Sequence, residues 1–211
     1  MEKKQPIGEY YQEGRGYCTD SRKVNDHDFA EGIVNPHGIY DIKRNEGYMM
    51  LGTSKETSEF ACDCIKGWWE RYGKYLYPGA TSILILADGG GSNSSRQYIF
   101  KEDLQKLANA IGIEIRIAHY PPYTSKYNPI EHRLFCHVTK ACSKTVLTSV
   151  ELLKELIEKT STSTGLKVFA SITDKIYKTA RKASTDFRKN MPIVADTYLG
   201  QWNYRAVPQA A

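Results

Sequence analysis

No apolar stretch in the 211 residues approaches the roughly 20 needed to cross a bilayer. The opening "MEKKQPIGEYYQEGRGY" also lacks the apolar core of a secretory leader. Both absences point to a cytoplasmic protein with no membrane partner. Cysteine is sparse: five residues, an odd number at irregular spacing, which argues against a disulfide framework and for a reducing compartment. Zinc ligands are equally short. Cys62-x-Cys64 is not the two-residue spacing of a zinc knuckle, and His132, Cys136 and His137 share at most part of one helix face, so ordinary packing is the stronger reading. The glycine tract "GGGSNS" does not match G-x-G-x-x-G, which weakens a dinucleotide site. No internal repeat or low-complexity tract is present.

What is present describes a soluble globular chain: 41% hydrophobic and 25% charged residues, enough for one domain, alone or with a small appendage. The net charge of +5 is concentrated. Between residues 165 and 190, Lys167, Lys175, Lys178, Arg181, Lys182, Arg188 and Lys189 face only Asp174 and Asp186, so the rest of the chain is neutral. Such a segment is a footprint for a polyanion, with a solvated surface face as the competing reading.

Residues 1–37 read as mostly irregular, with a short strand at Ile7 to Tyr11. "HGIYDI" and "GYMMLGT" flank "KRNE" as two strands around a tight turn. Phe60, Cys64, Ile65, Trp68 and Trp69 recur at helical spacing, with Thr57 or Ser58 as cap and an end near Gly73. "SILILA" is a nearly continuous apolar run, the pattern of a strand covered on both faces. A helix over "RQYIFKEDLQKLANAIG", a half-buried strand over "IEIRIAHY", the loop "PPYTSKYNP" and helices over "IEHRLFCHVTKAC" and "SVELLKELIEKT" complete the pattern. Alternation of strands and helices predicts an α/β architecture with a mixed sheet.

The strand "SILILA" ends in Asp88, followed by three glycines, Ser92 and Asn93. A carboxylate at the carboxyl end of a stiff strand lies where α/β proteins place ligands, and among neutral groups it suits Mg²⁺. An ordinary Asp-Gly turn is the competing reading. In "NPIEHRLF", Asn128 can cap a helix, Pro129 suits its first position, and Glu131 either closes a capping box or lies at the border of the stripe formed by Leu134, Phe135 and Val138. If the strands ending at Asp88 and His119 are neighbours, the carboxylates of Asp88 and Glu131 converge and need a cation between them. That is the pattern of two-metal phosphodiester chemistry, with DNA or RNA as substrate. The tyrosines, lysine and hydroxyls of "YPPYTSKYN" fit a loop that meets a nucleic-acid backbone or an unstacked base.

"LILADGGGSNSSR", "LQKLANAIGIEIRIAHYPPYTSKYNPIEHRLF", "STSTGLKV" and "GQWNY", in that order, resemble the DDE transposases of bacterial insertion sequences, the ISAzo-type subgroup, from about residue 3 to residue 204. The resemblance implies a ribonuclease-H-like mixed sheet flanked by helices and two Mg²⁺ or Mn²⁺ ions held by an Asp, Asp, Glu triad. It also implies DNA strand cleavage at transposon ends and strand transfer to target DNA, with a homo-oligomer in the DNA complex. Asp88 corresponds to the second aspartate and Glu131 to the glutamate, with 42 residues between them. Lys126 and Asn128 would lie near the substrate, and His132 and Arg133 would contact DNA phosphate or support the site.

"EKKQPIG" aligns with the turn after the family's first aspartate, so that residue and the central first strand are expected upstream of Met1. The usual N-terminal helical DNA-binding region is likewise not seen. Asp41 is a weak substitute, better read as a turn residue, and Asp20 and Asp28 are weaker still. The expected organisation is an irregular segment 1–37, a catalytic core 38–160 and a basic extension 161–211. Two functions compete: a transposase catalytic domain, and an inactive truncated remnant that at most binds DNA.

Overall fold

The computed structural model describes residues 11–12, 15–16, 28–29, 32–121, 124–143, 145 and 147–209. The expected strand at Ile7 to Tyr11 lies, apart from Tyr11, outside the described residues, as does Asp20. Two short antiparallel pairs, Tyr11–Gln12 with Arg15–Gly16 and Asp28–Phe29 with Gly32–Ile33, precede the main elements. These are β1 (Asn35–Asp41), β2 (Glu46–Gly52), α1 (Ser58–Trp68), β3 (Ser82–Ala87), α2 (Tyr98–Ile111) and β4 (Glu114–His119). After them come α3 (Cys136–Cys142), α4 (Val150–Glu158), β5 (Lys167–Thr173), α5 (Thr185–Lys189), β6 (Val194–Ala195) and β7 (Asn203–Ala206).

The chain forms two compact units, 1–54 with 129–176 and 55–128 with 177–211. Each contains a mixed sheet flanked by helices, in keeping with the ribonuclease-H-like class.

In the first unit the order is β1-β2-β5, with β1 antiparallel and β5 parallel to β2. Pleating sends Gly47, Met49 and Leu51 to one face of β2. There Met49 and Leu51 join Val34, Leu134, Leu153, Ile157, Leu166 and Val168 in a core covered by α3 and α4. On the opposite face Tyr48 stacks on Phe169 and donates a 2.7 Å hydrogen bond to Glu46. Hydrogen bonding from Arg44 holds the buried Glu46 carboxyl below its ordinary range, against the upward push of burial. Ser149 caps α4 by accepting from the Leu152 amide.

In the second unit the order is β6-β7-β4-β3; β3 runs parallel to β4, and β7 antiparallel to it. Thr57 caps α1 through the Phe60 amide, as the pattern predicts, and Gly112 stops α2 at φ 75°, a conformation glycine adopts without strain. The expectation that "SILILA" is covered on both faces is corrected. Leu84 is 64% exposed and Leu86 39%. Residues paired in register share a face: Ile83 and Ile85 lie beside the buried Ile115 and Ile117, whereas Leu84 lies beside Arg116. That second face carries the ion pairs of Glu114 with Arg116 and Arg205, so apolarity along β3 does not report burial on both sides.

The basic segment supplies structure the sequence pattern did not signal. Lys167 to Thr173 is β5, and Arg181 binds α1 and α2: it donates to both oxygens of Asp103 at 2.9 and 2.8 Å and pairs with Glu59 at 3.2 Å. Ser58 adds a 2.6 Å bond to Asp103. Burial pushes the neighbouring Glu102 carboxyl up, but the Ser184 amide and Lys106 outweigh it and hold it low.

The cysteines are not equivalent. Burial, reinforced by Asp103 and Asp63, raises the Cys62 thiol well above its ordinary range. Cys64 shifts the same way, and burial pushes Cys142 up to about 11. Cys136 is exposed. Because the thiolate is the reactive form, a disulfide reagent added to native protein should label Cys136 first and Cys142 more slowly among these four. Cys62 and Cys64 should react only on unfolding, a sequence that peptide mapping of timed samples would read.

Candidate active site

In the second unit, Asp88 directly follows β3, and its side chain is exposed. The carboxylate accepts one long bond, 3.4 Å from the Asn93 side chain, and makes no other hydrogen bond or ion pair among the described residues. The backbone around it is held more firmly. The Tyr120 amide donates to the Ala87 carbonyl at 2.8 Å, and His119 Nδ1 lies 3.2 Å from the Asp88 carbonyl oxygen. Of the three glycines only Gly91, at φ 57°, has a conformation that favours glycine. A Cβ at Gly89 or Gly90 would meet nothing closer than 3.8 Å, so packing does not require glycine at either.

The sequence pattern passed over the support beneath Asp88. His119 is buried at the end of β4, with Nε2 2.7 Å from the Tyr204 hydroxyl on β7. Burial pulls the imidazole below its ordinary range, against the Asp88 carbonyl and carboxylate, which favour the charged form. Burial likewise pushes the Tyr204 hydroxyl up, so it remains protonated. The available signals were His119 at an inward position of "IEIRIAHY" and Tyr204 in "GQWNY".

Beyond β4 the chain turns through Thr124, which bonds to the Pro121 carbonyl, into a 3-10 turn at Ser125–Tyr127. Lys126 is exposed, with Nζ 5.1 Å from the centre of the Tyr127 ring. Asn128 is only 6% exposed. Lys126 can therefore meet a ligand directly, whereas the position of Asn128 suits holding the loop.

In the first unit, Glu131 opens a π-helical turn, Glu131–Phe135, that leads into α3. Such turns recur at functional sites. Leu134 is completely buried, and a Cβ on Gly47 would collide with it; Phe135 Cε1 lies 2.5 Å from where a Cβ on Gly38 would be. The two glycines are thus notches in the sheet that seat the turn. Glu131 is half-buried at the border of this apolar stripe, as its spacing predicts, and its carboxylate makes no hydrogen bond or ion pair among the described residues. His132 and Arg133 are exposed. Asp41, by contrast, accepts from the Lys43 and Arg44 amides at 3.0 and 3.1 Å, the work of a turn residue.

The family profile described as Rhodopirellula transposase DDE domain matches residues 1–208. The chain belongs to this transposase family. No curated protein and no solved structure gives a match. A transposase catalytic-domain role follows for the DDE domain, and the family brings with it divalent metals and DNA. The DDE domain contains no helix long and apolar enough to cross a membrane among its described residues. Nor do these contain a cluster of three His, Cys, Asp or Glu side chains able to hold an ion. Mg²⁺ is commonly held by one or two carboxylates, with water and substrate phosphate completing its shell. The exposed, hard oxygen donors of Asp88 fit that requirement.

Proposed function

We propose that this DDE domain carries out metal-dependent DNA strand cleavage and strand transfer, with Asp88 and Glu131 as its metal-binding carboxylates. The observation that carries the reading is that the backbone at both positions is anchored while neither carboxylate has a close side-chain partner among the described residues. Asp88 is anchored through its backbone and Glu131 through Leu134 and Phe135, yet among the described residues one carboxylate accepts a single long bond and the other none. A carboxylate held in place without a structural partner suits a cation.

Two Mg²⁺ or Mn²⁺ ions would polarise the scissile phosphodiester and activate water, then a DNA 3′-hydroxyl, as nucleophile. The chain's own residues bind and orient. Exposed Lys126, His132 and Arg133 supply positive charge or hydrogen-bond donors for DNA phosphate, and Tyr127, 65% exposed beside Lys126, offers a stacking surface. Buried Asn128 would hold the loop from within. DNA ends and target are the partners, within a homo-oligomeric complex.

The test is nicking of supercoiled plasmid by the purified chain. Cleavage should require Mg²⁺ or Mn²⁺ and stop on addition of EDTA. DNA affinity should fall steeply with salt as phosphate contacts are screened. Salt-sensitive binding with no metal-dependent nicking would leave DNA binding as the sole activity and remove the cleavage reading.

A further inference from the structure

Asp88 can serve a cation only if its carboxylate points reproducibly, yet the residues after it are three glycines. A tract of that kind has large conformational freedom. The local restraint on the Asp88 carbonyl comes from below. His119 is 6% exposed and Tyr204 3%, and the two rings lie 5.5 Å apart. Phe100 meets the imidazole edge-on at 6.3 Å, and Lys101 Nζ sits 5.0 Å from the Tyr204 ring centre. The imidazole is thus enclosed by packed side chains, which restrain its orientation.

Hydrogen-bond chemistry then assigns the proton of the neutral imidazole. A carbonyl oxygen only accepts, so His119 Nδ1 donates to Asp88 at 3.2 Å; Nε2 is left as the acceptor, and the Tyr204 hydroxyl donates to it at 2.7 Å. The result is a directed chain, Tyr204 O–H to His119 and His119 N–H to the Asp88 backbone. It links β7, β4 and the end of β3 within one unit.

We propose that His119 and Tyr204 are positioning residues for Asp88, fixing through this chain the backbone turn from which the carboxylate is presented. The proposal rests on the reading of Asp88 as a metal ligand. Neither residue touches DNA or metal; their effect passes through the Asp88 carbonyl.

Two substitutions at one position separate this role from plain packing. The side-chain nitrogen of asparagine falls near where Nδ1 lies, and that of glutamine near Nε2. His119→Asn therefore keeps a donor for Asp88 and loses the Tyr204 bond, while His119→Gln loses the donor for Asp88 and keeps a bond to Tyr204, its amide N–H now donating to the hydroxyl oxygen. Both are buried polar replacements in the same cavity, so a purely structural role predicts similar losses. Mn²⁺ alone is titrated into the full chain and followed by water-proton relaxation, and backbone hydrogen exchange is measured over residues 89–93.

His119→Asn should bind Mn²⁺ within about 3-fold of the parent. His119→Gln should weaken it by roughly 10- to 100-fold, the usual effect of losing an outer partner of a ligand, and should speed exchange in 89–93. Tyr204→Phe, which removes one oxygen, keeps the assay informative if His119→Gln fails to fold, and should give a smaller shift in the same direction. Equal Mn²⁺ affinity and equal exchange in the two His119 variants would overturn the proposal. Mn²⁺ binding to the parent that Asp88→Asn leaves unchanged would instead overturn the metal reading of Asp88. Exchange over 89–93 would then still judge whether His119 fixes the turn, and no difference between the variants would end that claim too.

Discussion

Glu131→Gln and Asp88→Asn should each abolish metal-dependent plasmid nicking while the protein remains folded. Both replacements keep shape and remove charge. Losing an outer partner of a metal ligand typically costs about 10- to 100-fold, so losing a ligand outright should cost at least roughly 100-fold. Stability should change little, because Glu131 has no hydrogen bond or ion pair among the described residues and Asp88 accepts only the 3.4 Å bond from Asn93. Asp41→Asn is the matched control: its carboxylate closes a turn, so cleavage should persist. Nicking rates read beside thermal melts would check all three. Glu131→Gln cutting at the parental rate would remove the glutamate from the chemistry.

Arg181→Met should produce the largest loss of stability, about 3 kcal/mol. Asp103 is 5% exposed and takes two bonds from this guanidinium, so among the described residues the substitution leaves a buried carboxylate with only the Ser58 hydroxyl bonded to it. Breaking a buried pair from one side costs roughly 3–5 kcal/mol. The lower figure applies because the Arg181 side chain is 27% exposed. In a chain of this size that loss corresponds to a fall in Tm of roughly 6–12 °C. Arg188→Met, which removes an exposed cation over the Tyr98 ring, should cost under about 1 kcal/mol. Equal melting temperatures for the two variants would show that the Arg181 network does not hold the unit together.

Local chemistry was legible without coordinates. Thr57 before a helical pattern, Gly112 after one, and the alternation of "IEIRIAHY" each specify their element through interactions a few residues long. Glu131 at the edge of an apolar stripe was legible for the same reason, since helical spacing alone sets its angle to Leu134. The π-helical turn beneath it was not, because it answers to Gly47 and Gly38 on strands about 90 residues earlier. Burial along "SILILA" was misread because apolarity does not say which face a neighbouring strand or helix will cover. Arg181 looked like one cation in a basic run, whereas the fold commits it to Asp103 and Glu59.

The sequence by itself determined the class of protein: the order of its elements from β1 to α4, the Asp88 and Glu131 motifs and the family they belong to. These depend on residue type and short spacing. Only the tertiary structure decided what supports those motifs. It placed β5 and β7 from the basic tail into the two sheets, and it set His119 and Tyr204 beneath the Asp88 carbonyl. Those partners are 31 and 85 residues apart along the chain, a separation that no local pattern encodes and that only packing of the folded sheet brings to hydrogen-bond distance.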